Sequence, residues 1–129
     1  MHVASGALAG AATGSRARAA VASLILHAAG DAVPHEDFPS LRFEVGSGLA
    51  LLGLLALRRG ILDPAFIGGA ACAAPDLEHV FPYPGHGGPK LFPSHRLESW
   101  HREGGISAPR QLLAAVVIVT FLSLRRKER

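Results

Sequence analysis

Leu112 to Leu124 reads LLAAVVIVTFLSL and is followed at once by Arg125, Arg126 and Lys127. The stretch is apolar on every face. That pattern marks a helix surrounded by apolar matter and closed by a basic stop, not an amphipathic surface helix. Four more stretches lack Asp, Glu, Lys and Arg: Met1 to Ser15, Ala19 to Gly30, Val45 to Leu57, and Pro64 to Pro75. Each falls short of the roughly 20 residues that a membrane-spanning helix takes. Flanking arginines that snorkel, or a buried acid, can extend such a segment. Five helices are therefore expected, at 2–14, 17–32, 43–58, 61–74 and 108–126. Gly60 separates the third from the fourth, and Pro64 suits the first turn of the fourth. The first stretch lacks the basic start of a signal peptide, and its Gly6/Gly10 pair suits close helix packing.

The chain has 129 residues, enough for a single domain, 1–129. Hydrophobic residues make up 49% and charged residues 18%, a balance that excludes disorder. Cys72 is the one cysteine, which excludes an internal disulfide framework and a Cys-rich zinc site.

An alternating path through a bilayer sorts the charges. One side receives Arg16, Arg18, Arg58, Arg59, Arg125, Arg126, Lys127 and Arg129, with Asp63 and Glu128 as its only acids. The other receives Asp31, Glu36, Asp37, Glu44, Asp76, Glu78, Glu98 and Glu103, and all seven histidines. The positive-inside rule makes the arginine side and the carboxyl terminus cytoplasmic, with the histidine-rich face outside. Phe38, Phe43, Phe81, Tyr83, Phe92 and Trp100 gather on the histidine side, as aromatics do at a membrane interface. The net charge of +3 thus reads as topology; no basic-aromatic surface for nucleic acid accompanies it.

Three segments carry chemistry on that side. His27 and Asp31 are four apart, on one helical face one turn from each other, where they can share a metal ion or where Asp31 can orient His27. A plain hydrogen bond at a helix end is the alternative. Pro34 then ends the helix and swings His35, Glu36 and Asp37 into a turn. Pro75 to His79 reads PDLEH and sets Asp76, Glu78 and His79 at the outer end of the fourth helix. Ser94 to His101 reads SHRLESWH, in which His95 and His101 need a bend to reach one ion. Arg96 and Arg102 there can hold an anion, and Glu98 and Glu103 are further candidate bases or orienting partners. His86, in a Gly-Pro loop, reads as incidental, and His2 opens the first helix on the same side.

His2, the Pro75-Asp76-x-Glu78-His79 run, the His95-Arg96…His101 run and the His27-x3-Asp31 pair resemble the predicted membrane-bound metal-dependent hydrolases. The His27-x3-Asp31 pair with Pro34-His35 behind it also looks like the helical zinc-dependent phospholipase C and nuclease group. The resemblance spans most of the chain. It implies metal ligands at these His and Asp positions and hydrolysis of a phosphoester or lipid-linked substrate.

The expectation is an all-α protein: about five helices forming an integral, multi-pass membrane bundle, with a His/Asp-rich polar cap formed by loops 31–44 and 75–107. Its function is metal-dependent hydrolysis of a phosphoester or lipid-linked small molecule at the membrane surface. Zinc or manganese is held by His2, His27, Asp31, Asp76, His79, His95 and His101. Glu78 or Glu36 is the general base and Arg96 the phosphoryl-binding cation. The alternative is a non-enzymatic metal-binding or structural membrane subunit, with homo-oligomers forming through small-residue faces.

Overall fold

The computed structural model describes residues 1–81, 90–97, 99–100 and 104–125. Among these the chain is all-helical: α1 (His2–Thr13), α2 (Arg16–Asp31), α3 (Leu41–Arg59), α4 (Pro64–Ala73), α5 (Leu77–Val80), α6 (Pro93–Arg96) and α7 (Ala108–Leu124). A single 3-10 turn, Ala74–Asp76, joins α4 to α5. The five long helices occupy the five expected stretches.

Local chemistry sets their ends. Gly14 closes α1 with φ 61°, a left-handed conformation that costs glycine little. The Ser40 hydroxyl accepts the Phe43 N–H at 3.3 Å and starts α3 two residues earlier than expected. The first expected cap loop accordingly ends at Ser40 and not at residue 44. The Asp63 carboxylate accepts the Ala65 N–H at 2.8 Å, so α4 opens at Pro64 and the preceding residues form a turn.

The helix α1 lies at the centre, packed on α4, α2 and α7, while α3 closes the bundle against α7 and α4. Small residues permit this. A Cβ added to Gly68 would stand 2.2 Å from the Gly6 carbonyl oxygen, and one added to Gly6 would stand 2.3 Å from the Gly68 oxygen. The two backbones touch, and any side chain there would force them apart. The buried apolar cluster is Ala4, Ala7, Leu55, Ala65, Ala115, Val119 and Leu122. Larger apolar residues face outward instead: Val21 and Ile25 on α2, Leu49 and Leu57 on α3, and Leu113, Val117 and Leu124 on α7.

Among the described residues, no helix is long and apolar enough to cross a membrane. The longest, α3, has 19 residues and rises about 28 Å, but Arg42, Glu44, Arg58 and Arg59 lie within it. The helix α7 has 17 residues and rises about 25 Å.

At the end where α2 finishes and α7 starts, a short seam fastens two loops. Ile106 N–H donates to the Pro34 carbonyl at 3.1 Å, and Glu36 N–H donates to the Ile106 carbonyl at 3.0 Å. Gly105, at φ 84°, would place a Cβ 2.3 Å from that Pro34 oxygen, so only glycine fits the seam.

Candidate metal centre

His27 and Asp31 occupy the last turn of α2, both buried. Asp76 ends the 3-10 turn, Glu78 and His79 lie on α5, and Ser94 and His95 lie on α6. The chain reverses between α1 and α2 and again between α3 and α4, so His2 at the start of α1 reaches the same end. Four separate chain regions thus converge, although each supplies only a few polar residues.

Three atoms gather at one place, His27 Nε2, His95 Nε2 and Asp31 Oδ2, and Asp76 Oδ1 approaches both imidazoles. His27 Nε2 stands 3.1 Å from His95 Nε2, 3.3 Å from Asp31 Oδ2 and 3.7 Å from Asp76 Oδ1. His95 Nε2 stands 3.5 Å from Asp31 Oδ2 and 3.8 Å from Asp76 Oδ1. Four ligands held 2.0–2.2 Å from one tetrahedral Zn²⁺ stand about 3.3–3.6 Å apart. The three spacings among His27, His95 and Asp31, 3.1, 3.3 and 3.5 Å, match that edge length, and Asp76 stands slightly farther from the two imidazoles.

The protonation of the two imidazoles follows from their other nitrogens. His27 Nδ1 lies 2.7 Å from the Cys72 carbonyl oxygen, which can only accept, so Nδ1 carries the proton. His95 Nδ1 is in the same way bonded to the Glu78 carboxylate. In the neutral rings both Nε2 atoms are then bare lone pairs, directed at each other and at two carboxylates. In that state the set is complementary to a cation, whether a second proton on an imidazole or a metal ion in its place. The carboxylate–imidazole pair Glu78–His95 also supplies the orienting contact that metal-binding histidines ordinarily have. The C-terminal ends of α2 and α4 add their negative dipole ends to the same place.

The residues around these four have defined tasks. The Ser94 hydroxyl donates to Asp31 Oδ2, and the Phe92 ring packs edge-on to His27 with centroids 5.0 Å apart. Glu78 Oε2 accepts the Leu91 N–H at 2.7 Å and the Phe92 N–H at 3.4 Å. Burial works to raise the Glu78 carboxyl, but the His95 contact and these two backbone bonds overcome it and hold Glu78 below the usual carboxylate range. With both oxygens engaged, Glu78 is placed to orient His95. His79 accepts from Lys90 Nζ at 3.0 Å; desolvation, with the neighbouring His95 and Lys90, pushes its imidazole below the ordinary value. Asp76, His79 and His95 each offer a ligand atom within 4.8 Å of the others, so His79 borders the cluster.

Of the residues singled out in the sequence, the structure brings together His2, His27, Asp31, Asp76, Glu78, His79 and His95. It does not bring Glu36 there. Glu36 lies across the seam, its carboxylate accepting the Ala108 N–H at 3.4 Å and its carbonyl accepting from Gln111 Nε2 at 2.8 Å. It is tied to α7 because the turn after Pro34 carries it away from Asp31. Arg96 is exposed at the rim and donates to the Lys90 carbonyl. His86, Glu98, His101, Arg102 and Glu103 lie outside the described residues.

Sequence reasoning missed Cys72, Ser94, Lys90 and Phe92 as neighbours of the cluster. Cys72 precedes Asp76 by four, one helical turn, and Ser94 adjoins His95; those spacings were the available signals. A recess of about 190 Å³, lined by Ala74, Pro75, Glu78, Leu91 and Phe92, opens beside the cluster. No family model, curated protein or solved structure matches the chain.

Proposed function

We propose that the chain is a metal-dependent hydrolase of phosphoester or lipid-linked substrates, working at a membrane face. The observation that carries the reading is the cluster of His27 Nε2, His95 Nε2 and Asp31 Oδ2, 3.1–3.5 Å apart, with Asp76 Oδ1 beside both imidazoles and both rings fixed from behind. Zinc or manganese bound there supplies Lewis acidity, polarising a phosphoryl oxygen and making water a nucleophile at neutral pH. The protein's own groups do the rest. Glu78 and the Cys72 carbonyl fix the rings, and Ser94 fixes Asp31. Lys90 and Arg96 place two cations at the rim, suited to an anionic substrate. His79, neutral at physiological pH and at the outer edge, can accept the proton that water gives up. The recess is smaller than the roughly 300 Å³ or more of sites that enclose a drug-sized ligand. It suits a headgroup whose remainder lies outside the protein.

Membrane residence, with the histidine face outside and the carboxyl terminus cytoplasmic, is part of the proposal. It is supported by the arrangement of side chains, small inside and large apolar outside, and by the separation of arginine and histidine ends. The helices α3 and α7, at about 25–28 Å, fall slightly short of a 30 Å hydrocarbon core, and α1, α2 and α4, with 12, 16 and 10 residues, rise only about 18, 24 and 15 Å, so the placement requires local thinning and snorkelling arginines.

The test is elemental analysis of detergent-purified protein beside a His27→Ala/His95→Ala variant, followed by phosphomonoester and phosphodiester turnover assays. Bound zinc or manganese that the variant loses, together with metal-dependent turnover, is the expected result. Metal without turnover converts the reading to a non-enzymatic metal-binding protein. Absence of metal even after adding it back leaves a structural membrane subunit. Protein that stays in aqueous buffer without detergent removes the membrane placement.

A further inference from the structure

The carboxylate of Asp31 has two oxygens, and they face different partners. Oδ2 belongs to the set with His27 and His95, while Oδ1 stands 3.3 Å from His2 Nε2. On that second side lies Cys72, wholly buried. Its sulfur is not packed among hydrocarbon groups alone. His2, His27 and Cys72 each offer one ligand atom, and all three atoms lie within 4.8 Å of one another. The Ser5 hydroxyl is 3.9 Å from the Cys72 sulfur. Gly30 makes room for the His2 ring: a Cβ there would meet His2 Cε1 at 3.1 Å and Nδ1 at 3.4 Å. His27 has no nitrogen to spare, because Nδ1 is on the Cys72 carbonyl and Nε2 faces the first set.

We propose that His2, Cys72 and Asp31 Oδ1 form a second cation site, with Asp31 bridging it to the first. It rests on the reading of the first site as a metal centre. Thiolate with imidazole and carboxylate selects a borderline-soft ion such as Zn²⁺ over the harder Mn²⁺. The buried thiol loses its proton to solvent as the ion enters, so the sulfur binds as thiolate. A single carboxylate bridging two ions is an arrangement suited to a two-metal centre, in which paired ions clamp the attacking and leaving oxygens. The second site therefore also fixes which metal the centre prefers.

Metal stoichiometry and the cobalt spectrum test this on the detergent-purified full chain. Two equivalents of Zn²⁺ are expected in the wild type and one in Cys72→Ser, Cys72→Ala and His2→Ala. Titration with Co²⁺ should give a near-ultraviolet thiolate-to-cobalt charge-transfer band, absent from both Cys72 variants. One equivalent in the wild type, unchanged by Cys72→Ser, lost in His95→Ala and without the thiolate band, overturns the second site and leaves the first standing. No metal in the wild type overturns both. Because serine nearly matches cysteine in size, helical circular dichroism of Cys72→Ser separates loss of an ion from loss of the fold.

Discussion

At the arginine end of the bundle, Arg59 Nε lies 3.0 Å from Asp63 Oδ1, and its Nη1 donates to the Leu122 and Arg125 carbonyls at 3.1 and 2.8 Å. One guanidinium thus answers a carboxylate and caps α7. Arg16 does similar service there, donating to the Leu62 carbonyl at 2.9 Å. At the histidine end, imidazole faces imidazole at 3.1 Å and two carboxylates complete the ring of acceptors. Both ends bury charge next to helix termini. The first pairs its carboxylate with a permanent guanidinium and the second pairs its carboxylates with imidazoles, whose Nε2 protons a metal ion can replace, so the first reads as structure and the second as a place able to exchange its cation.

Substitutions can break this contrast. The largest effect is expected from Asp31→Ala, which removes the carboxylate shared by His2, His27 and His95. Bound metal should disappear entirely, with the helical content kept; retained metal would mean that the ion sits elsewhere. Next comes Arg59→Ala, which leaves Asp63 buried without its cation and should cost about 3 kcal/mol of stability. Thermal unfolding measures it, and metal content should not change. If Arg59→Ala emptied the site, the two ends would not be separable.

Finer variants sharpen the comparison. Glu78→Gln keeps the shape but weakens the hold on His95 Nδ1, and metal affinity should fall about 10- to 100-fold. The carboxyl of Glu78 is depressed in the folded protein, so its contribution to stability is present above its ordinary value of 4.5 and is lost as pH falls through the lower folded value. The gap in thermal midpoint between wild type and Glu78→Gln should therefore close on acidification; a gap that widened would reverse the assigned direction. The smallest effect is expected from Ser40→Ala at the start of α3, about 1 kcal/mol in stability with metal content unaltered.

Much of this was legible from residue order. Five charge-free stretches bounded by arginine, glycine and proline gave five helices, because long apolar runs have few other ways to satisfy their backbones. The segregation of histidine from arginine placed His2, His27, Asp76 and His95 at one end before any contact was known. The one-turn helices α5 and α6 were not legible, since PDLEHV and PSHR are too short to display a helical period. The division of labour between the acids was also hidden. Glu36 and Glu78 look alike in sequence, yet one is drawn to Ala108 and Gln111 and the other to His95, and only tertiary contacts decide that. Cys72 escaped notice because a single cysteine four residues before an acid is indistinguishable from a small core residue.

The contact between Gly6 and Gly68 has a consequence for handling the protein. Specificity of assembly resides in backbone fit and in alanine-sized side chains, so the outward Val21, Ile25, Leu49, Leu57, Leu113 and Val117 contribute little to holding the helices together. On the membrane placement proposed above, recoding those positions as lysine and glutamate should give a detergent-free counterpart with an untouched interior. The chemistry of the histidine end would then open to titration, spectroscopy and crystallisation in plain buffer.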